Sequence, residues 1–229
     1  MIRWMTALAV AASMALAHSM ASAADSAERF NGVWLIEKSP QALTTVDGKR
    51  PPLRPEALAE YETRLAARAK GDLSLDRTTW CAAAGVPRLL LEPHPFEILV
   101  NPRQVAFLFE WNRWARLIDM TGNDLQPLYP LAFGTANGKF DNDSLVIVTR
   151  GLTKQTFLDR SGLPHSDDLV ITETLRLKGR DVLENRIRID DAKTYTSAWE
   201  ARVTYRRQAH AELKEDVCLD RIRNGKPAI

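Results

Sequence analysis

Polar and apolar residues alternate most plainly toward the end of the chain. Leu169, Ile171, Leu175 and Leu177 fall on one face of an extended segment, and Thr172, Thr174 and Arg176 on the other. Leu183, Ile187 and Ile189 then alternate with Glu184, Arg186 and Arg188. Trp199, Ala201, Val203 and Tyr205 alternate with Glu200, Arg202, Thr204 and Arg206. A period of two is the signature of strands with one buried face, and it assigns each side chain to a side. Two residues break it: Glu173 and Asn185 fall on the apolar face. A carboxylate there must be paired, hydrogen-bonded or protonated, since a lone buried charge costs several kcal/mol. Glu173 therefore has either a structural partner or a role in binding or proton transfer.

The same reading extends upstream. Residues 30–38 predict a first strand, and 96–101, 104–111, 114–119 and 139–150 further short ones. The strands at 169–177, 182–189 and 198–206 follow, with a last one at 213–219. Gly179-Arg180-Asp181 predicts a hairpin turn, and the acidic Asp141-Asn142-Asp143 a hairpin tip rather than a cation loop. One helix stands out, at 55–70. Pro55 opens it, Glu56 and Glu60 lie near its start, Arg68 and Lys70 near its end, and Gly71 stops it. Leu58, Tyr61, Leu65 and Ala69 give it an apolar stripe. Short strands at even spacing predict an all-β fold with one helix near the N-terminus: an antiparallel β-barrel or strongly curved sheet. Gly32-Val33-Trp34 resembles the G-x-W that opens lipocalin and calycin barrels.

The first residues place the protein. Arg3 precedes an apolar run from Trp4 to Ala17, and Ala21-Ser22-Ala23 offers a cleavage site. This predicts a signal peptide over 1–23, a single domain over 24–229 and a periplasmic or secreted location. The run is too short to span a bilayer, so no transmembrane anchor is expected after cleavage. With 31 Lys and Arg against 29 Asp and Glu, the surface has no footprint for nucleic acid or anionic membrane. In an oxidising compartment Cys81 and Cys218 are expected to form a disulfide, the alternative being two buried thiols.

Candidate chemistry is sparse. The loop from Asp159 to Asp168 holds His165, which is able to act as general acid or base with Asp159 orienting it, or else forms a turn that satisfies its own backbone. Glu110 and Arg116 lie on adjacent predicted strands, where they are placed to pair across the sheet or to meet a ligand. No metal-ligand spacing, nucleophile elbow or cofactor motif is present, so neither metal nor cofactor is expected.

From Cys81 to Cys218 the chain resembles a family of uncharacterised secreted bacterial proteins. The blocks that carry the resemblance are Cys81 with Gly85-Val86-Pro87-Arg88, Pro95-Phe96-Glu97-Ile98, Phe109-Glu110-Trp111 with Arg116, Asp143-Ser144-Leu145-Val146, Leu158-Asp159-Arg160-Ser161-Gly162, Pro164-His165-Ser166-Asp167, Thr172-Glu173, Ile189-Asp190-Asp191, Tyr195-Thr196 with Trp199, and Val217-Cys218. The resemblance implies a shared fold and no particular activity. One departure is Thr135, which stands where that family has a histidine.

These observations predict an exported barrel that binds a small, largely apolar ligand, with Glu173, Asn185, Glu110 and Arg116 as orienting polar contacts. Two alternatives stay open. One is a periplasmic lyase, isomerase or hydrolase using His165 with Glu173 or Asp159. The other is a structural or interaction protein of the cell envelope. The oligomeric state is not legible.

Overall fold

The computed structural model describes residues 27–228; the expected signal peptide lies outside them. Nine strands close into one barrel in chain order. They are β1 (Gly32–Ile36), β2 (Phe96–Asn101), β3 (Gln104–Phe109), β4 (Ala115–Asp119), β5 (Thr135–Asp141), β6 (Ser144–Arg150), β7 (Val170–Leu177), β8 (Val182–Asp190) and β9 (Trp199–Arg207). Neighbours run antiparallel, except that β4 and β5 meet in parallel at one pair, Asp119 with Asn137. β9 closes onto β1 through Trp34 and Arg207, so every strand has a neighbour on both sides, β4 and β5 through that single pair.

Alternation determines the inside. On β7, β8 and β9 the side chains read as apolar are buried, with Leu177 at the end of β7 half-buried, and their neighbours are more exposed. The same period holds on β3 and β6. The interior is filled by residues such as Trp34, Phe96, Phe107, Ile118, Ile147 and Ile187.

The two ends differ. The turns β2–β3, β5–β6 and β7–β8 share one end, which Phe30 covers by packing against Phe140 with ring centroids 5.7 Å apart. Arg207 pins the chain there. Its guanidinium lies 4.2 Å from the Trp34 ring and donates to the carbonyls of Asn31 and Arg29. Gly32 leaves it room: with φ at 126°, a Cβ there would meet the Arg207 guanidinium at 2.5 Å. At the other end sits the predicted helix, α1 (Pro55–Ala69), with Tyr61 as its buried residue. Tyr61 reaches Ser161 at 2.6 Å, and Arg64 donates to the Gly162 carbonyl at 3.0 Å.

The disulfide between Cys81 and Cys218 is formed, with Cα atoms 5.6 Å apart. Closing so long a loop is worth roughly 4–5 kcal/mol in the chain-entropy model.

Three expectations need correction. Residues 213–219 are not a strand; an irregular segment leads into a short helix, α2 (Cys218–Arg223). β9 has already closed the barrel on β1, so a further strand there finds no edge to join. Residues 139–150 are not one strand but the end of β5, a turn at Asn142 with φ 51°, and β6. Most of β5 escapes a hydrophobic reading because its inward positions include Ala136 and Gly138. A Cβ on Gly138 would meet Ile118 and Met120 at 2.6 Å, so small residues let β4 pack close. Finally, β3 stops at Phe109, and Trp111–Arg113 form a single 3-10 turn.

Candidate functional site

The two residues that interrupted the apolar alternation both face the barrel interior and are fully buried. They are not directly opposite: Glu173 pairs with Ile187 and Asn185 with Leu175, two positions along. That diagonal is within reach of long side chains, and the Asn185 amide donates to Glu173 Oε1 at 3.1 Å. The second oxygen of Glu173 receives Nη2 of Arg116, which comes from β4 and is 1% exposed. The same Nη2 donates to Thr149 Oγ1 on β6 at 2.8 Å. Tyr205 of β9 stands beside Asn185. Burial pushes its phenol far above the ordinary range, and the charge of Glu173 adds to the effect. Five strands thus aim polar groups at one place, walled by aromatic rings. Phe107 lies 5.9 Å from the Arg116 guanidinium, and Phe96 meets Tyr205 edge-on at 5.1 Å.

The cluster is only partly satisfied. Arg116 uses one of its three nitrogens; Nε and Nη1 have no hydrogen-bond partner among the described residues. The Tyr205 hydroxyl and Asn185 Oδ1 are neighbours without a hydrogen bond of good geometry between them. A buried polar group without a partner costs about 1–3 kcal/mol, so such groups seldom accumulate without a use.

The remaining predicted site residues lie elsewhere. Glu110 does not pair with Arg116. It leads into the 3-10 turn beyond β3, and its carboxylate accepts from the Lys214 backbone at 2.9 Å. The partner of Arg116 is Glu173, because residue 116 points inward and Glu110 lies past the end of its strand.

His165 is 5% exposed, in the loop between β6 and β7. Its Nδ1 meets the Ser166 carbonyl at 2.9 Å and its Nε2 the Thr156 hydroxyl at 2.9 Å. A neutral ring fits both when Nδ1–H donates to the carbonyl and the single proton of the Thr156 hydroxyl turns to Nε2 rather than to the Thr153 carbonyl, 3.0 Å away. Burial accordingly holds its pKa below the ordinary histidine value. Neither Glu173 nor Asp159 is among its hydrogen-bond partners.

Asp159 instead organises its own loop. One oxygen accepts from the backbone of Ser161 at 2.9 Å, the Ser161 hydroxyl at 2.6 Å and the Leu163 backbone at 3.1 Å. The other accepts from the Leu43 backbone at 2.7 Å. Burial raises its pKa, and the bonds from Ser161, Leu43 and Leu163 oppose that without cancelling it. The acid–base grouping of His165 with Asp159 or Glu173 is therefore not assembled in this structure.

Comparison of the sequence with models of known protein families and with curated proteins finds no match. The site is read from its own geometry.

Tyr205 and Thr149 belong to the cluster but were not singled out from the sequence. Tyr205 was legible: alternation on β9 already turned it inward, and a buried tyrosine hydroxyl needs a partner. Thr149 carried no comparable signal.

Two cavities bear on access. One, of about 360 Å³, opens at the Phe30 end of the barrel and is lined by Val100, Pro102, Met120, Lys139 and Phe140. Met120 follows Ile118 and Arg116 at steps of two from β4, so the inward face of that strand leads from this cavity to the cluster. A second, of about 370 Å³, lies on the outer wall between Leu108, Trp114 and Leu213. Neither is lined by Arg116, Glu173 or Asn185.

Proposed function

We propose that the protein is an exported carrier that binds a small, largely apolar molecule inside its barrel. The polar end of the ligand meets Arg116, Asn185 and Tyr205, which Glu173 holds in place, and its apolar body lies among the aromatic side chains. The observation that carries this reading is the partly used guanidinium of Arg116: two buried nitrogens, carrying three N–H donors, with no partner among the described residues. A core serving packing alone is better served by apolar residues or by a fully paired ion pair. The rim cavity beside Met120 and Phe140 supports entry from the Phe30 end, through displacement of the Phe30–Phe140 contact. Export follows from the basic start, apolar run and A-x-A site of residues 1–23. It agrees with the disulfide, which belongs to oxidising compartments, and with the resemblance to a secreted bacterial family. The test is native mass spectrometry of the mature protein purified from periplasm. Expected is a mass above that of the chain, released on denaturation and absent from an Arg116→Met/Glu173→Leu variant. A bare chain mass in both preparations refutes it.

A second reading, an interaction protein of the envelope, is favoured by one observation. Leu99, Ala106 and Leu117 stand side by side across β2, β3 and β4, and the two leucines are exposed on the outer wall. An apolar row of this kind suits a protein contact. If the barrel serves through that wall, Leu117→Lys abolishes self-association or envelope retention, while the interior double variant leaves them intact.

A further inference from the structure

The interior cluster also constrains the charge of what it holds. Resting on the carrier reading, we infer that the ligand presents an uncharged hydrogen-bond acceptor, such as a ketone, ester or amide oxygen, and that carboxylates and other anions are rejected. The fully buried inward-facing positions of the nine strands carry two charged side chains, Arg116 and Glu173, which already neutralise each other; Arg207, on the same face of β9, sits at the end of the barrel and is held by the Trp34 ring and the carbonyls of Asn31 and Arg29. Arg116 and Glu173 are both buried to within 1% of complete exclusion from solvent. A carboxylate brought to this buried pair adds a third charge with no counter-charge left beside it, in surroundings where an unpaired ion is strongly disfavoured.

The cluster has more idle donors than acceptors. Its unpartnered donors are Nε and Nη1 of Arg116, and the Tyr205 hydroxyl is available beside them; the unpartnered acceptor is Asn185 Oδ1. A neutral oxygen with two lone pairs takes up the guanidinium donors and adds no charge. An alkane of the same shape leaves them as they are. Glu173 is thus the discriminating residue. It does not need to touch the ligand, because it occupies the one cation that an anionic head group would seek.

The experiment uses the full mature chain and three matched probes: 2-heptanone, heptanoate and heptane. Binding at pH 7.5 is followed by calorimetry and by the fluorescence of the interior Trp34 and Trp199. Expected is 2-heptanone binding at least tenfold more tightly than either of the others. In Glu173→Gln the Arg116 charge is released, and the order reverses: heptanoate gains at least tenfold and overtakes the ketone. Where Glu173→Gln does not fold, Tyr205→Phe replaces it. Its ketone affinity is expected to fall about fivefold while heptane is unaffected. Heptanoate matching 2-heptanone on the unaltered protein overturns the inference and leaves the carrier reading standing. So does a Glu173→Gln variant that still prefers the ketone. No binding of any of the three, together with a bare chain in native mass spectrometry, removes both.

Discussion

Two arginines are buried equally deeply in this protein and are treated in opposite ways. Arg88, 2% exposed in the connection before β2, uses every nitrogen. Nη1 and Nη2 grip Asp76 at 2.9 Å each, Nη2 also reaches Thr78 at 3.2 Å, and Nε meets Glu92 at 3.3 Å. Arg116, inside the barrel, uses one nitrogen and leaves two idle. The charge and the burial are the same, so the difference lies in completeness. A bidentate, fully paired guanidinium fastens neighbouring loops near the disulfide. A half-paired one keeps hydrogen-bonding capacity in reserve. Asp76 reflects the first case: burial works to raise its pKa, but the bonds and charge of Arg88 and the bonds from Thr78 outweigh it, and the net shift is downward.

The comparison breaks most directly at Arg88. Arg88→Met takes the buried cation from Asp76 and Glu92 and leaves them only the more exposed Arg68, at 2.9 Å, and Arg160, at 3.6 Å. It is expected to cost about 3–5 kcal/mol, read from urea denaturation, with ligand retention unchanged in whatever folds. A loss below about 1 kcal/mol would mean that the pairing is idle and the contrast with Arg116 empty.

Arg116→Met strands Glu173 in the same way and is expected to cost a similar amount, about 3–5 kcal/mol. Here, however, the double variant Arg116→Met/Glu173→Leu is expected to return to within about 1 kcal/mol of the unaltered protein or to exceed it, because apolar groups replace an incompletely paired network. Stability recovered while ligand is lost assigns the cluster to function. Stability that stays low in the double variant assigns it to the fold.

Asp159 sharpens the contrast from the loop side. Its oxygens take only donors, so the amide of Asp159→Asn must turn an N–H toward a donor whichever way it is oriented. The expected loss is about 1–3 kcal/mol in thermal or urea unfolding, with no change in ligand retention. Full stability in that variant would show that the loop does not depend on the carboxylate.

The smallest effect belongs to His165, whose pKa is held below 6.5 in the folded state by burial. As pH falls through 6.5 the unfolded chain takes up this proton before the folded one. Stability is therefore complete above that value and declines below it. Urea midpoints between pH 7.5 and 5.5 are expected to drop on acidification, and His165→Gln to flatten the slope. An equal slope in the variant would place the dependence elsewhere.

Much of this was written in local pattern. Period two identified β7, β8 and β9 and turned Glu173 and Asn185 inward, because a strand with one dry face offers no other choice. Pro55, the acidic first turn and Gly71 bounded α1 to within one residue of its observed end. What local pattern cannot hold is partnership. Arg116 reaches Glu173 across 57 residues, since closing the barrel brings β4 and β7 to face each other over its interior. Glu110, its neighbour in sequence, was the natural partner by proximity and is the wrong one. β5 was hidden for a related reason: Gly138 is small because Ile118 and Met120 fill the space, a constraint belonging to the neighbouring strand. Residues 213–219 have the apolar content of a strand, yet pairing needs a free edge and β1 had taken the last one. The sequence by itself determined which side of each strand is dry and which residues offend there. The tertiary structure decided which of those residues meet, and how much hydrogen-bonding capacity is left over when they do.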